Sequence, residues 1–314
     1  MRSLDNVGVS VVVPIYCAAN RLALLVQRIK SELEGFREFE ILLIDDGSTD
    51  SSWLEITKLA HETSSVVGVR LGRNCGQHAA LLAGIRTAKH GVVVTIDDDL
   101  QNPPSEIRKL LDALTADVDV VYGISADIRQ SSWRRMLSKG ARRFLSSALG
   151  FKSSIEMSSF RAFRTELRDS FSEPIGPSVS IDALLTWSTF RFATVQVEHH
   201  ERIEGTSNYN LRKLIKFMMD TTTSYSTLPL RFASLIGSLV MVIGFLLLGW
   251  IVGRRIVMGT SVPGFPLLAS AITIFSGTQL MVLGILGEYI GKIHFRSMNK
   301  PSYAIAQSTD ERLV

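Results

Sequence analysis

Residues 91–104 read GVVVTIDDDLQNPP. An apolar, β-branched run from Gly91 to Ile96 feeds directly into Asp97, Asp98, Asp99, Leu100 and Gln101, and Pro103 with Pro104 closes the segment. The run predicts a buried strand, and the acidic residues a loop at its carboxyl end. In extended chain, residues two apart face the same side, so Asp97, Asp99 and Gln101 are expected to converge. Three such oxygen ligands suit a hard divalent cation, Mg2+ or Mn2+, that keeps coordination places open for phosphate oxygens.

Similar runs recur on both sides of this segment. Val9 to Pro14, Glu40 to Ile44, Val66 to Leu71 and Val118 to Tyr122 predict four more strands, and Ala193 to Glu198 a further one. Helical spacing lies between them: Leu22, Leu25, Ile29 and Leu33 share a face, as do Trp53, Ile56, Leu59 and Ala60, and later Ile107, Leu110, Leu111 and Leu114. This alternation predicts an α/β domain with a mostly parallel sheet and a Rossmann-like plan.

In such a sheet the loops at the carboxyl ends of the strands line one cleft. Asp45 and Asp46 follow the second strand, where a carboxylate can accept hydrogen bonds from a base or ribose, while Asp50 or Ser48 can cap the next helix. After the third strand come Arg73, Asn74, Cys75, Gly76 and Gln77, where Gly76 permits close backbone approach at a helix start.

The 314 residues carry a net charge of +4. Acidic and basic residues are interspersed over the first two hundred positions, which argues against a nucleic-acid surface. The basic excess gathers at Arg212, Lys213, Lys216 and Arg231, then at Arg254, Arg255, Lys292, Arg296 and Lys300. Those positions border two uncharged runs, 232–253 and 264–287, each long enough to cross a bilayer. The short linker between them predicts an antiparallel transmembrane hairpin spanning 232–291. Basic residues at its outer ends outweigh Arg254 and Arg255 and place both termini in the cytoplasm. Leu211, Leu214, Ile215, Phe217 and Met218 alternate with basic residues at helical spacing, so 211–231 reads as an amphipathic interfacial helix on anionic headgroups, or else as a helix docked on the α/β domain. Residues 1–210 form the α/β domain in this division, and 292–314 a cytoplasmic tail. Cys17 and Cys75 form no metal-ligand or disulfide pattern and read as reduced thiols. Met1 to Asn6 is polar, and the short apolar run behind it reads as a first strand, not as a signal peptide.

Pro14 to Tyr16, the DDGSTD segment at 45–50, the turn at 74–76 and DDDLQNPP at 97–104, in this order and spacing, resemble the GT-A fold of family 2 glycosyltransferases. The resemblance continues through Phe160 and Arg161, through Arg202, Gly205, Ser207 and Tyr209, through Pro229 to Arg231 and through Leu286 to Gly291. It points to the polyprenyl-phosphate branch, and within that to bacterial enzymes that move glucose or a formamido-arabinose unit. The implied reaction transfers a sugar from a nucleotide-diphosphate sugar to polyprenyl (undecaprenyl) phosphate. It is metal-dependent and inverting, and it supplies a lipid-linked sugar for cell-envelope glycans such as lipopolysaccharide or O-antigen at the bacterial inner membrane. By the same resemblance Pro14, Tyr16 and Asp46 hold the nucleoside, with Asp45, Gly76 and Asp98 beside them. Asp97, Asp99 and Gln101 hold metal and diphosphate. Arg129, Arg135 and Arg202 are candidates for the phosphates, since guanidinium groups suit bidentate phosphate binding. Gly205, Ser207 and Tyr209 fall in an acceptor loop.

Two positions depart from that pattern. Cys17-Ala18 replaces an Asn-Glu pair, and Ile155 replaces an aspartate ahead of the Phe-Arg pair, with Glu156 beside it. A phosphate monoester has a second pKa of about 6 and arrives mostly as the dianion, so the acceptor needs positioning more than a general base. Asp182 is a candidate base, a sugar-hydroxyl contact, or a helix-start residue. Two rival readings are a processive polysaccharide synthase, whose QxxRW-type signature is missing, and a non-catalytic nucleotide-sugar-binding membrane protein. The sequence leaves the sugar, the donor base and any homo-oligomer undetermined.

Overall fold

The computed structural model describes residues 7–125, 157–171, 180–200, 228–258, 264–298 and 300–311. The chain divides into two compact units, Met1–Tyr209 with Asn299–Val314, and Asn210–Met298.

The first unit is built on one eight-stranded sheet: β1 (Val9–Ile15), β2 (Phe39–Asp45), β3 (Val66–Leu71), β4 (Val92–Thr95), β5 (Val120–Ser125), β6 (Arg161–Arg164), β7 (Phe192–Val197) and β8 (Ile305–Ser308), in the order β7-β5-β6-β4-β1-β2-β3-β8. β4, β1, β2 and β3 run parallel, and β7 runs parallel to β5. β6 is antiparallel to both β4 and β5, and β8 is antiparallel to β3.

Strands buried on both faces read as continuous apolar runs, and β1 with its seven buried residues is such a strand. Helices cover both faces. α1 (Leu22–Leu33), α2 (Ser52–Glu62) and α4 (Ile107–Ala113) pack on one side against Val11, Val13, Val92, Val94 and Ile96. On the other, α3 (Gln77–Thr87) and α5 (Ile181–Ser188) pack against Val12, Ile44, Val93 and Tyr122. A Cβ at Gly84 would come within 2.3 Å of Val12 Cγ1, so a glycine lets α3 lie this close to the sheet. The carboxyl ends of β1 to β4 therefore share one edge, as expected of the GT-A plan.

Two strands escape the sequence analysis. β6 is only four residues long, and β8 lies within 292–314, where no strand is expected. β8 is held by more than ladder bonds: the Gly68 amide donates to Thr309 Oγ1 at 2.9 Å, and Lys89 Nζ lies 2.8 Å from Asp310 Oδ2.

The second unit contains α6 (Leu228–Met258) and α7 (Gly264–Ser297). Ile274–His294 within α7 is long and apolar enough to cross a membrane, and it includes the Glu288–Lys292 pair at 3.6 Å, so it reaches beyond the uncharged run expected at 264–287. In α6 the corresponding apolar stretch, Phe232–Leu246, is shorter. Large apolar side chains such as Leu239, Phe245, Leu246, Leu280 and Ile290 stand exposed.

Candidate active site

β4 ends at Thr95, and residues 98–100 form a turn in which Leu100 takes φ +58° with its side chain buried. The extended-chain alternation expected to bring Asp97, Asp99 and Gln101 together thus stops short of them. The turn makes its own contacts instead. Asp99 Oδ1 accepts from the Gln101 amide at 3.2 Å, and the Gln101 carbonyl accepts from the His200 amide at 2.8 Å.

Asp97 is held from two neighbouring elements. Gln77 Nε2 donates to its Oδ1 at 2.6 Å, and Ser159 Oγ to its Oδ2 at 2.5 Å. Asp98 lies against β1: it accepts from the Tyr16 amide, and Arg21 Nη2 stands 3.5 Å from Oδ1. Burial first, then the charges of Asp99 and Asp97, push its pKa up to about 6 against the opposing pull of Arg21.

Pro14 is buried within β1, whereas Tyr16 is 49% exposed. The next turn is tied to the loop after β2, where the Cys17 and Ala18 amides donate to Ser48 Oγ and Ser52 Oγ, both at 2.9 Å. Cys17 sits at φ +53°, a conformation that asparagine tolerates better than cysteine.

Asp45 is fully buried. It accepts from the Ser48 amide at 2.9 Å and lies 3.2 Å from Arg70 Nε. Asp46 is tied to the backbone: Oδ1 accepts from the Cys75 amide at 2.7 Å and Oδ2 from the Gly76 amide at 2.8 Å. Burial raises its pKa despite those two bonds. Gly76 takes φ +93°, which lets both amides turn toward one carboxylate. The 74–77 turn is therefore a strut, binding Asp46 through its backbone and Asp97 through Gln77.

Asp182 stands at the start of α5 and accepts from Arg161 Nη1 and, at 3.0 Å, from the Tyr122 hydroxyl. Arg161 is among the largest fully buried side chains, and its Nε donates to Thr95 Oγ1 at 3.2 Å. His78, whose pKa burial lowers, accepts from the Ile181 amide at 3.3 Å. Asp182 thus anchors a buried arginine, a role for which neither the base nor the sugar-contact reading is needed.

Arg129, Arg135, Arg202, Gly205, Ser207 and Tyr209 lie outside the described residues, as does 211–227 of the expected interfacial helix. Gln77, Ser159 and Arg21 are site neighbours that the sequence analysis gave no role. Finding Ser159 requires knowing that β6 pairs antiparallel with β4.

Among the described residues no three His, Cys, Asp or Glu side chains are gathered as a metal cage. Mg2+ commonly takes one or two carboxylates and completes its shell with water and substrate phosphates, and Asp97 and Asp99 fit that demand.

The profile of Glycosyl transferase family 2 matches residues 10–171. An undecaprenyl-phosphate 4-deoxy-4-formamido-L-arabinose transferase of Aeromonas hydrophila is 38% identical over 98% of this chain and 95% of its own length. A Pseudomonas aeruginosa protein of the same name is 36% identical over 95% of this chain and 89% of its own. Among solved structures, the glucosyl-3-phosphoglycerate synthase of Mycobacterium tuberculosis, in complex with Mn2+, UDP and glucosyl-3-phosphoglycerate, superposes with a TM-score of 0.52 at 20% identity, covering 70% of this chain and 79% of that one. That likeness bears on the fold, while the profile match and the nearly full-length similarity decide the family: the chain belongs to glycosyltransferase family 2.

Proposed function

We propose that this protein transfers a sugar from a nucleoside-diphosphate sugar to undecaprenyl phosphate at the cytoplasmic face of a bacterial inner membrane. The observation that carries this reading is similarity over 98% of the chain to a transferase whose name states that acceptor. A 4-deoxy-4-formamido-L-arabinose donor heads the candidates for the sugar.

In the reaction a phosphate oxygen of the lipid attacks the anomeric carbon, the carbon–oxygen bond to the diphosphate breaks, and the nucleoside diphosphate departs with the bonding electrons. No proton has to move, because the acceptor is already dianionic. Tyr16 and the loop after β2 face the nucleoside. Asp97 and Asp99, with Gln101, hold a divalent cation, which supplies charge neutralisation for the departing diphosphate. Mn2+ and Mg2+ both occur with UDP in solved structures of the synthase that shares the fold. Arg129, Arg135 and Arg202 are the candidates for the phosphates, and Gly205, Ser207 and Tyr209 for the acceptor loop.

A transmembrane hairpin completes the proposal. At about 1.5 Å per residue, α6 and α7 both exceed the roughly 30 Å of a hydrocarbon core. The pairing of β8 with β3 supports an even number of crossings between 200 and 300, since a strand can join a sheet only on the sheet's own side of a bilayer.

The test is direct. Protein in detergent, with Mg2+, undecaprenyl phosphate and a panel of labelled donors, is expected to move label into the butanol-extractable lipid. A lipid fraction free of label with every donor overturns the proposal.

A further inference from the structure

The register of β4 on β6 pairs Thr95 with Arg161. Just past the end of this ladder, two residues after Thr95 and two before Arg161, the Ser159 hydroxyl closes on Asp97 Oδ2 at 2.5 Å. Gln77 takes the other oxygen from α3 at 2.6 Å. Each carboxylate oxygen has about two lone-pair sites, so a hydrogen bond to an oxygen does not by itself exclude a cation from it.

Ser159 itself is firmly seated. Its carbonyl accepts from Thr95 Oγ1 at 2.6 Å, Thr95 Oγ1 accepts from Arg161 Nε at 3.2 Å, and Arg161 is pinned by Asp182. The terminal torsion of an aspartate is broad, so an unsupported carboxylate would sample orientations that miss the cation.

We infer that Ser159 is a positioning residue which, together with Gln77, fixes the Asp97 carboxylate in the orientation that receives the divalent cation. The inference rests on the metal-dependent reading proposed above. Partners of this kind, one step removed from the ion, typically change metal affinity by about 10–100-fold.

The experiment titrates Mn2+ into the full-length protein in detergent with UDP present, with free Mn2+ read by electron paramagnetic resonance. Ser159→Ala is expected to weaken Mn2+ binding by about 10–100-fold. Its metal-free thermal midpoint should stay near wild type, and the Mn2+ needed for half-maximal transfer should rise while kcat recovers at saturating Mn2+. Ser159→Thr, which keeps the hydroxyl, should bind as wild type does. Gln77→Met removes the other donor at a more exposed site and should weaken binding by the same route, which keeps the idea testable if Ser159→Ala folds poorly. Asp97→Ala is the reference. If Asp97→Ala loses Mn2+ while Ser159→Ala and Gln77→Met bind it as wild type does, the positioning role is overturned and the metal reading stands. If wild type takes up no Mn2+, or Asp97→Ala binds it unchanged, the metal reading fails and this inference with it.

Discussion

Arg161, 1% exposed, reaches across from β6 to Asp182 at the head of α5, and the same carboxylate oxygen accepts the Tyr122 hydroxyl at 3.0 Å. Removing one partner of a buried pair leaves an uncompensated charge, at a cost of about 3–5 kcal/mol. Asp182→Ala should therefore lose stability on that scale, seen as a lower thermal midpoint, and the Arg161→Met/Asp182→Leu pair should recover much of it. As an anchor rather than a base, Asp182 takes no proton from the acceptor, which the pH–rate profile checks. Asp182→Asn should keep the wild-type profile shape, and loss of an acidic limb in that variant would restore the base reading.

Gly76 gives a cleaner test of backbone geometry. A Cβ there meets nothing within 4 Å, so Gly76→Ala adds no clash and isolates the conformational term at φ +93°. Strain of this kind costs about 1–3 kcal/mol. The two amides bound to Asp46 should loosen, raising KM for the donor more than it lowers kcat. Unchanged stability and KM would mean that the 74–77 turn is not the strut described.

Asp98 provides the pH dependence. Its pKa rises from 3.8 to about 6, with burial the largest cause. A carboxyl raised in the folded state binds more protons there than in the unfolded chain, so stability falls as pH climbs through this window and the penalty is complete above it. Asn imitates the protonated form. In metal-free protein, Asp98→Asn should exceed wild type in stability by about 1–3 kcal/mol above pH 6, and the two should converge below pH 4. Thermal midpoints measured with chelator from pH 4 to 8 check this, and an advantage larger at pH 4 than at pH 8 would reverse the sign.

Strand β8 makes the crossing parity measurable. Cys17 is exposed on the catalytic unit, and Gln307 is exposed on β8. In a Cys75→Ser background, a membrane-impermeant maleimide should label Cys17 and Gln307→Cys in inverted vesicles and neither in intact spheroplasts. Labelling from opposite sides would require an odd number of crossings.

Strands β1 to β4 were legible because β-branched runs bounded by turn residues carry their own signal. β6 was not: RAFR holds two arginines in four residues, and one of them is buried only because Asp182 and Thr95 receive it. β8 was illegible for a related reason. IAQS is weakly apolar and becomes a strand by meeting β3, with Thr309 bonded to Gly68 across a separation of 241 residues. At the site, the acidic cluster could be found from its place after a strand, but its geometry could not, because β4 stops at Thr95 and Leu100 turns the chain in the left-handed region. Two partners of Asp97 lie 20 and 62 residues away, one brought in by the start of α3 and the other by the pairing of β6 with β4.

Metal-assisted transfer to a lipid phosphate at Asp97 and Asp99 is the proposed reaction. The most direct measurement is single-turnover formation of lipid-linked sugar by Asp99→Ala beside wild type, at saturating Mg2+, donor and undecaprenyl phosphate. Loss of several kcal/mol of charge stabilisation predicts a rate lower by at least about 100-fold. A rate within tenfold of wild type would contradict the account.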